Sequence, residues 1–230
     1  MFIRHPLPLV IRETRPLNLR KDNTCLLLQD LHSPFTDVAN GWLGKRVREK
    51  VLDREFDEYF HLLDLVAPNL PNVLEAFREL GIPVVYSSLG HWPQEGPSAF
   101  QEATGWTWDL SGPLGAFPPQ WQPAQGENVF SKAGWSALGS EGFRNFLQER
   151  NISNVVVMGS MFDFGIRQTC IELGDRGIGS LIITDGVVAL TQMGQGYTGD
   201  SIAHGLIKLR SAAEALGLLE VLAKEGSVLI

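Results

Sequence analysis

Cysteine is scarce in this 230-residue chain, with only Cys25 and Cys170, and both lie in apolar segments. Two thiols so placed read as buried groups in a reducing compartment, not as a disulfide framework. No Cys/His cluster has the spacing of a zinc site. Positive charge is also short, with 19 Lys and Arg against 26 Asp and Glu, a net charge of −7 and a pI of about 5.2. That balance argues against a nucleic-acid-binding surface. No apolar run reaches the ~20 residues that a membrane span needs. Met1 to Arg20 holds no long apolar core, so no signal peptide is expected and the chain is expected to be cytoplasmic. No internal repeat is visible. At 44% hydrophobic residues, the chain can fill the core of one α/β domain spanning 1–230.

The stretch from Asn154 to Gly165, N-V-V-V-M-G-S-M-F-D-F-G, organises the rest. Its apolar run Val155–Met158 suits a strand buried on both faces of a parallel sheet. Gly159 breaks the run, and helical spacing follows from about Ile166, with Cys170 and Leu173 on the same face. Strand, turn and helix in this order place groups at the carboxyl edge of an open sheet, where ligands bind.

Residues 1–22 read as an extended N-terminal arm. Thr24–Gln29 is a first buried strand with Asp30 at its carboxyl end, either a site residue or a helix-capping Asp. Gly41–Leu70 reads as mostly helical, with Phe56, Tyr59, Phe60, Leu63 and Val66 at three and four. The helix continues to Leu80 and stops at Gly81. Ile82–Ser88 is a second strand. Residues 91–123 are irregular, carry Trp92, Trp106, Trp108 and Trp121, and read as an aromatic-rich lid or interface loop. Glu127–Phe130 is a third strand, with Lys132 just past its end. There it is either a solvated surface residue or an ion-pair partner for Asp30. Ser140 is placed to cap a helix to Arg150. Ser180–Thr184 is a fifth strand closed by Asp185, Asp200–Leu222 reads as largely helical, and Ser227–Ile230 as a last edge strand. The sum is a doubly wound, mainly parallel, Rossmann-like α/β sheet with helices on both faces.

Three motifs in this order resemble the isochorismatase-like (cysteine hydrolase) superfamily. They are L-L-L-Q-D-L-H-S-P-F, F-S-K-A-G-W-S-A-L, and G-S-M-F-D-F-G running on to Asp185. The likeness spans about residues 20 to 190. It places the family's acid on Asp30 and its lysine on Lys132, and Gly159, Gly165, Gly177 and Asp185 fit the spacing of the third motif. The family's nucleophilic cysteine falls on Gly165. Cys170 lies five residues later, roughly 500° around a helix, and should point elsewhere.

The resemblance implies a hydrolase acting on a small organic molecule through Asp30 and Lys132 without a covalent cysteine intermediate. The bond cleaved would be a vinyl ether or C–N bond. Isochorismatases themselves also lack the cysteine, but resemble one another in an Arg two residues past the Lys, where this chain has Gly134. The resemblance further implies a cis peptide just before Phe162, backbone N–H donors near Phe164 and Gly165, and a homo-oligomer, dimer or tetramer. Phe35, His91, Trp92, Trp135, Phe162 and Phe164 are the candidate substrate-binding walls, and Asp163 is a pocket residue or a helix cap. Asp30 with His32 is similar to the start of a nicotinamidase metal site. No further histidines follow at suitable spacing, so no metal and no cofactor are expected, and His32 reads as an exposed loop residue or one that orients substrate. Two alternatives stay open: an inactive binding or scaffold protein, and an amidase whose nucleophile is displaced to Cys170.

Overall fold

Short apolar runs separated by helices build the sheet. In the computed structural model, residues 15–49, 55–190 and 206–230 are described. Six strands form one parallel sheet: β2 Thr24–Gln29, β3 Val84–Leu89, β4 Asn128–Lys132, β5 Asn154–Ser160, β6 Gly179–Val188 and β7 Ile207–Arg210. Their spatial order is β4-β3-β2-β5-β6-β7. The chain winds outward from β2 to β4, then starts again at β5 on the other side of β2. The reversal leaves a crevice at the carboxyl ends of β2 and β5, the position where doubly wound sheets bind ligands.

Alternation decides which face each strand residue serves. Leu26, Leu28, Val156 and Met158 pack against helices α4 (Asn69–Glu79) and α8 (Ala212–Glu225). Cys25, Leu27, Val155 and Val157 pack on the other side against α6 (Glu141–Glu149) and α7 (Arg167–Asp175). A third cluster, including Phe35, Tyr59, Leu89, Trp108, Met161 and Val188, joins residues at or beyond the strands' carboxyl ends. Ser140 caps α6 as its position suggests, with its hydroxyl accepting from Phe143 N.

Several boundaries differ from the sequence reading. After a single helical turn, α1 Ser33–Thr36, the helix expected from Gly41 to Leu80 is three pieces among the described residues: α2 Trp42–Arg48, α3 Glu55–Val66 and α4. The break before α4 falls at Pro68, where proline lacks the N–H a continuous helix would use. Lys132 ends β4 instead of following it, and β6 runs through Asp185 to Val188. Asp200–Leu222 is not one helix: residues 200–205 lie outside the described residues, β7 follows, and α8 begins only at Ala212. The last edge strand is β8 Ser227–Leu229, which pairs antiparallel with β1 Asn18–Arg20 as a separate ribbon. The rest of the expected arm, residues 1–14, lies outside the described residues. Residues 91–123 contain a helix, α5 Ala99–Thr104, opened by a reciprocal Ser98/Gln101 capping box. Among the described residues, no helix is long and apolar enough to cross a membrane.

Candidate active site

Asp30 follows β2 in a left-handed turn (φ 52°), a conformation that a short polar side chain tolerates. Its main chain is held by both neighbouring strands. The N–H donates to Ser87 O (2.8 Å), and the carbonyl accepts from Ser160 Oγ (2.7 Å). Oδ1 accepts from Leu89 N at 2.8 Å, and Oδ2 meets Lys132 Nζ at 2.6 Å. Strand pairing brings the ammonium there: Lys132 lies beside Leu89 in the β3–β4 register, and β3 adjoins β2. Lys132 also donates to Trp135 O at 2.6 Å. The lysine is fully buried and Asp30 only 4% exposed, so Lys132 is an ion-pair partner and not a solvated surface residue. Burial pushes the ammonium's pKa down, and the adjacent carboxylate opposes that shift.

Gly165 lies in a π-helical turn, Phe162–Ile166, that leads from β5 into α7. A Cβ built there would stand 3.2 Å from both Lys132 Nζ and Trp135 O, and would collide with the Gln29 side-chain amide. The turn is thus beside the pair, as expected, but the space over Gly165 is taken by Gln29 and is not open. The non-proline cis peptide is Ser160–Met161, one bond earlier than expected. Phe164 N donates to Met161 O (3.3 Å), so this N–H, one of the expected backbone donors, is already engaged. Gly159 (φ 122°) allows the turn because a Cβ there would run into the backbone of Gln29 on β2.

The expected wall residues separate into three groups. Trp135 meets the pair through its backbone carbonyl, and its ring stacks at 4.9 Å on Phe164, which is still 40% exposed. Phe35 and Phe162 are core residues instead of free walls: Phe35 packs edge-on to Trp108 (5.3 Å), and Phe162 packs in the cluster with Ile166 and Val187. His91 lines a separate groove with Glu95, Ser131 and Glu141, a groove that Asp30, Lys132 and Gly165 do not line. Trp92 is partly exposed, and its backbone N–H donates to Glu95 Oε2 at 3.2 Å. Asp163 caps a neighbouring segment, accepting from Leu190 N at 2.6 Å. Asp185 accepts from Ala212 N at 2.6 Å and so holds the start of α8.

His32 is fully buried, contrary to the exposed position expected of it, with Nε2 2.9 Å from Leu89 O. Burial lowers its pKa to about 4, against the pull of Asp30, so the ring is neutral near pH 7. Cys170 is fully buried in the core, and burial raises its thiol to about 12. Cys25 is likewise buried and shifted upward. Neither thiol has the exposed, electropositive surroundings of a reactive one. Among the described residues, no group of three or more His, Cys, Asp and Glu is placed to hold a metal.

Gln29 and Thr169 join the site without having been expected there from the sequence. Gln29 ends β2 fully buried, its Oε1 2.8 Å from the Thr169 hydroxyl on α7. A signal existed: Gln29 is the one amide in an otherwise apolar strand end, and it directly precedes the acid.

The Isochorismatase domain family model matches residues 24–214, so the chain belongs to that family. Among solved structures, it is similar to a cysteine hydrolase of Pseudomonas syringae pv. phaseolicola: 14% identity, 90% of this chain and 97% of that one, TM-score 0.71. An isochorismatase family protein of Desulfovibrio vulgaris shares 19% identity over 89% of this chain and all of its own, TM-score 0.66. A ribonuclease of Caenorhabditis elegans shares 16% over 86% and 81%, TM-score 0.57. At these identities the likeness is one of fold. A comparison with curated proteins returns no match.

Proposed function

We propose that the protein is a hydrolase of a small organic molecule, with Asp30 and Lys132 as the reacting pair and no covalent thiol intermediate. The observation that carries this reading is the 2.6 Å contact between the two buried head groups beside Gly165, while both cysteines are sealed in the core. Asp30 receives donors on both oxygens, an arrangement that suits a carboxylate acting as a base. It takes a proton from water as the water oxygen bonds to the substrate's electrophilic carbon. The Lys132 ammonium stabilises the negative charge that develops on the substrate oxygen. Cleavage of the C–N or vinyl-ether bond then returns the proton to the leaving nitrogen, or to the carbon of the released enolate. A dimer or tetramer is part of the proposal, and light scattering decides it.

The experiment is a mass-spectrometric screen of vinyl ethers, amides and ring lactams, run before and after iodoacetamide treatment. Hydrolysis of at least one class, undiminished by alkylation, supports the reading. Loss of turnover on alkylation of either cysteine overturns it.

One observation favours a second reading, a binding protein without turnover: the pair is closely packed, and Gln29 fills the space over Gly165. Saturable binding of a screened compound with no conversion supports that alternative.

A further inference from the structure

Gln29 is fully buried, and its Nε2 has no partner among the described residues. That nitrogen occupies the volume that a side chain at position 165 would need, in the same small space as Lys132 Nζ and Trp135 O. At its other end, the carboxamide is anchored by Thr169. The Thr169 hydroxyl lies 2.8 Å from Gln29 Oε1 and 2.8 Å from Gly165 O, and it accepts from Ala137 N at 2.9 Å. A hydroxyl has one hydrogen, so only one of those two oxygens receives it. Either way round the carboxamide sits, one polar atom meets Thr169 and the other faces Gly165. Buried amide groups are seldom left unpaired, and an unpaired one at a candidate site points to a partner that is sometimes present.

We propose that Gln29 contacts the ligand, standing where a nucleophile's side chain would stand, and pairs with a neutral group that carries C=O and N–H side by side, an amide or lactam. This rests on the reading of Asp30 and Lys132 as the reacting pair. Complementarity gives the first argument. A carboxamide offers one donor side and one acceptor side, and an amide ligand answers both, whichever faces it. Charge gives the second. The Lys132 ammonium is already balanced by Asp30 at 2.6 Å, and His32 is neutral. A carboxylate ligand would bring a second negative charge beside Asp30 into a buried site whose one ammonium is already paired. Lys132 has three N–H groups, of which Asp30 and Trp135 take two, leaving one for a ligand oxygen. Gly165, with no side chain, leaves Gln29 as the group that meets the ligand on that side.

The test uses the full chain with acetamide, 2-pyrrolidinone and acetate as probes, followed by protein NMR titration. The wild type is compared with Gln29→Leu. In the wild type, the two amides are expected to shift the resonances of Gly165, Thr169 and Trp135, and acetate to shift none of them. Gln29→Leu is expected to weaken amide binding about tenfold, the effect of one hydrogen bond. It should melt no lower than the wild type, because leucine leaves no amide unpaired and Thr169 keeps Gly165 O as its acceptor. A merely structural Gln29 would instead lower the melting temperature and leave amide binding unchanged. Absence of amide binding in the wild type, acetate binding as tight as the amides, or unchanged affinity in Gln29→Leu overturns the inference. Turnover that needs Asp30 but ignores Gln29→Leu sinks this inference alone. Turnover indifferent to Asp30 sinks the reading beneath it.

Discussion

Asp30 Oδ2 and Lys132 Nζ stand 2.6 Å apart although their strands, β2 and β4, have β3 between them. The lysine reaches across the end of β3, and the carboxylate is steadied there by Leu89 N. Two charges taken out of water cost several kcal/mol, and their attraction offsets that cost only while both remain. Asp30→Asn or Lys132→Met alone is therefore expected to lower stability by roughly 3–5 kcal/mol, because each strands one buried charge. The double variant should lose clearly less than the sum of the two. Chemical denaturation of all four proteins measures the coupling.

His32 ties stability to pH. Its folded pKa is about 4 against 6.5 for the free ring, chiefly because burial disfavours the charged form. Between those values the unfolded chain binds more protons, so stability is held above pH 6.5 and lost as pH falls toward 4. The loss should reach roughly 3 kcal/mol at 1.36 kcal/mol per pKa unit. His32→Gln, which keeps a donor for Leu89 O, should flatten that part of the stability–pH curve. An equally steep curve in the variant would assign the effect elsewhere.

Gly165 and Gln29 compete for one volume. Gly165→Cys is expected to destabilise the protein by about 1–3 kcal/mol through overpacking against the Gln29 amide. Adding Gln29→Ala should recover much of that. In the double variant, the new thiol lies beside the Lys132 ammonium and should react with iodoacetamide faster than Cys25 or Cys170. Equal, slow labelling of all three would argue that position 165 is not the vacated nucleophile site.

Asp185 matches the acid that the family resemblance places after the next strand, but its carboxylate caps α8 through Ala212 N. Asp185→Ala is expected to cost about 1 kcal/mol of stability. Turnover per folded molecule should be unchanged. A large loss of activity at full folding would give this residue a role in the site.

The sheet was legible where the sequence is locally one-sided. The apolar runs of β2 and β5 and the Ser140 cap announce themselves through composition and turn chemistry. Asp30 and Lys132 were legible as a pair because both stand at strand ends that a parallel sheet brings to one edge. β7 was not: I-K-L-R is short and half charged, and only its place beside β6 makes it a strand. The Ser98/Gln101 capping box was present in the sequence, but proline and tryptophan around it masked a short helix. His32 and Phe35 reveal their burial only through the aromatic packing of Trp108 and its neighbours, contacts remote in sequence. Gln29 was hidden for a similar reason, since its importance lies in what it meets across the crevice.

The most direct measurement is turnover of the compound found in the screen by the Asp30→Asn/Lys132→Met double variant, which removes the proposed reacting pair without stranding a charge. A folded protein is expected, confirmed by its melting transition, with no hydrolysis above the uncatalysed rate. A folded double variant that hydrolyses the compound at the wild-type rate would contradict it.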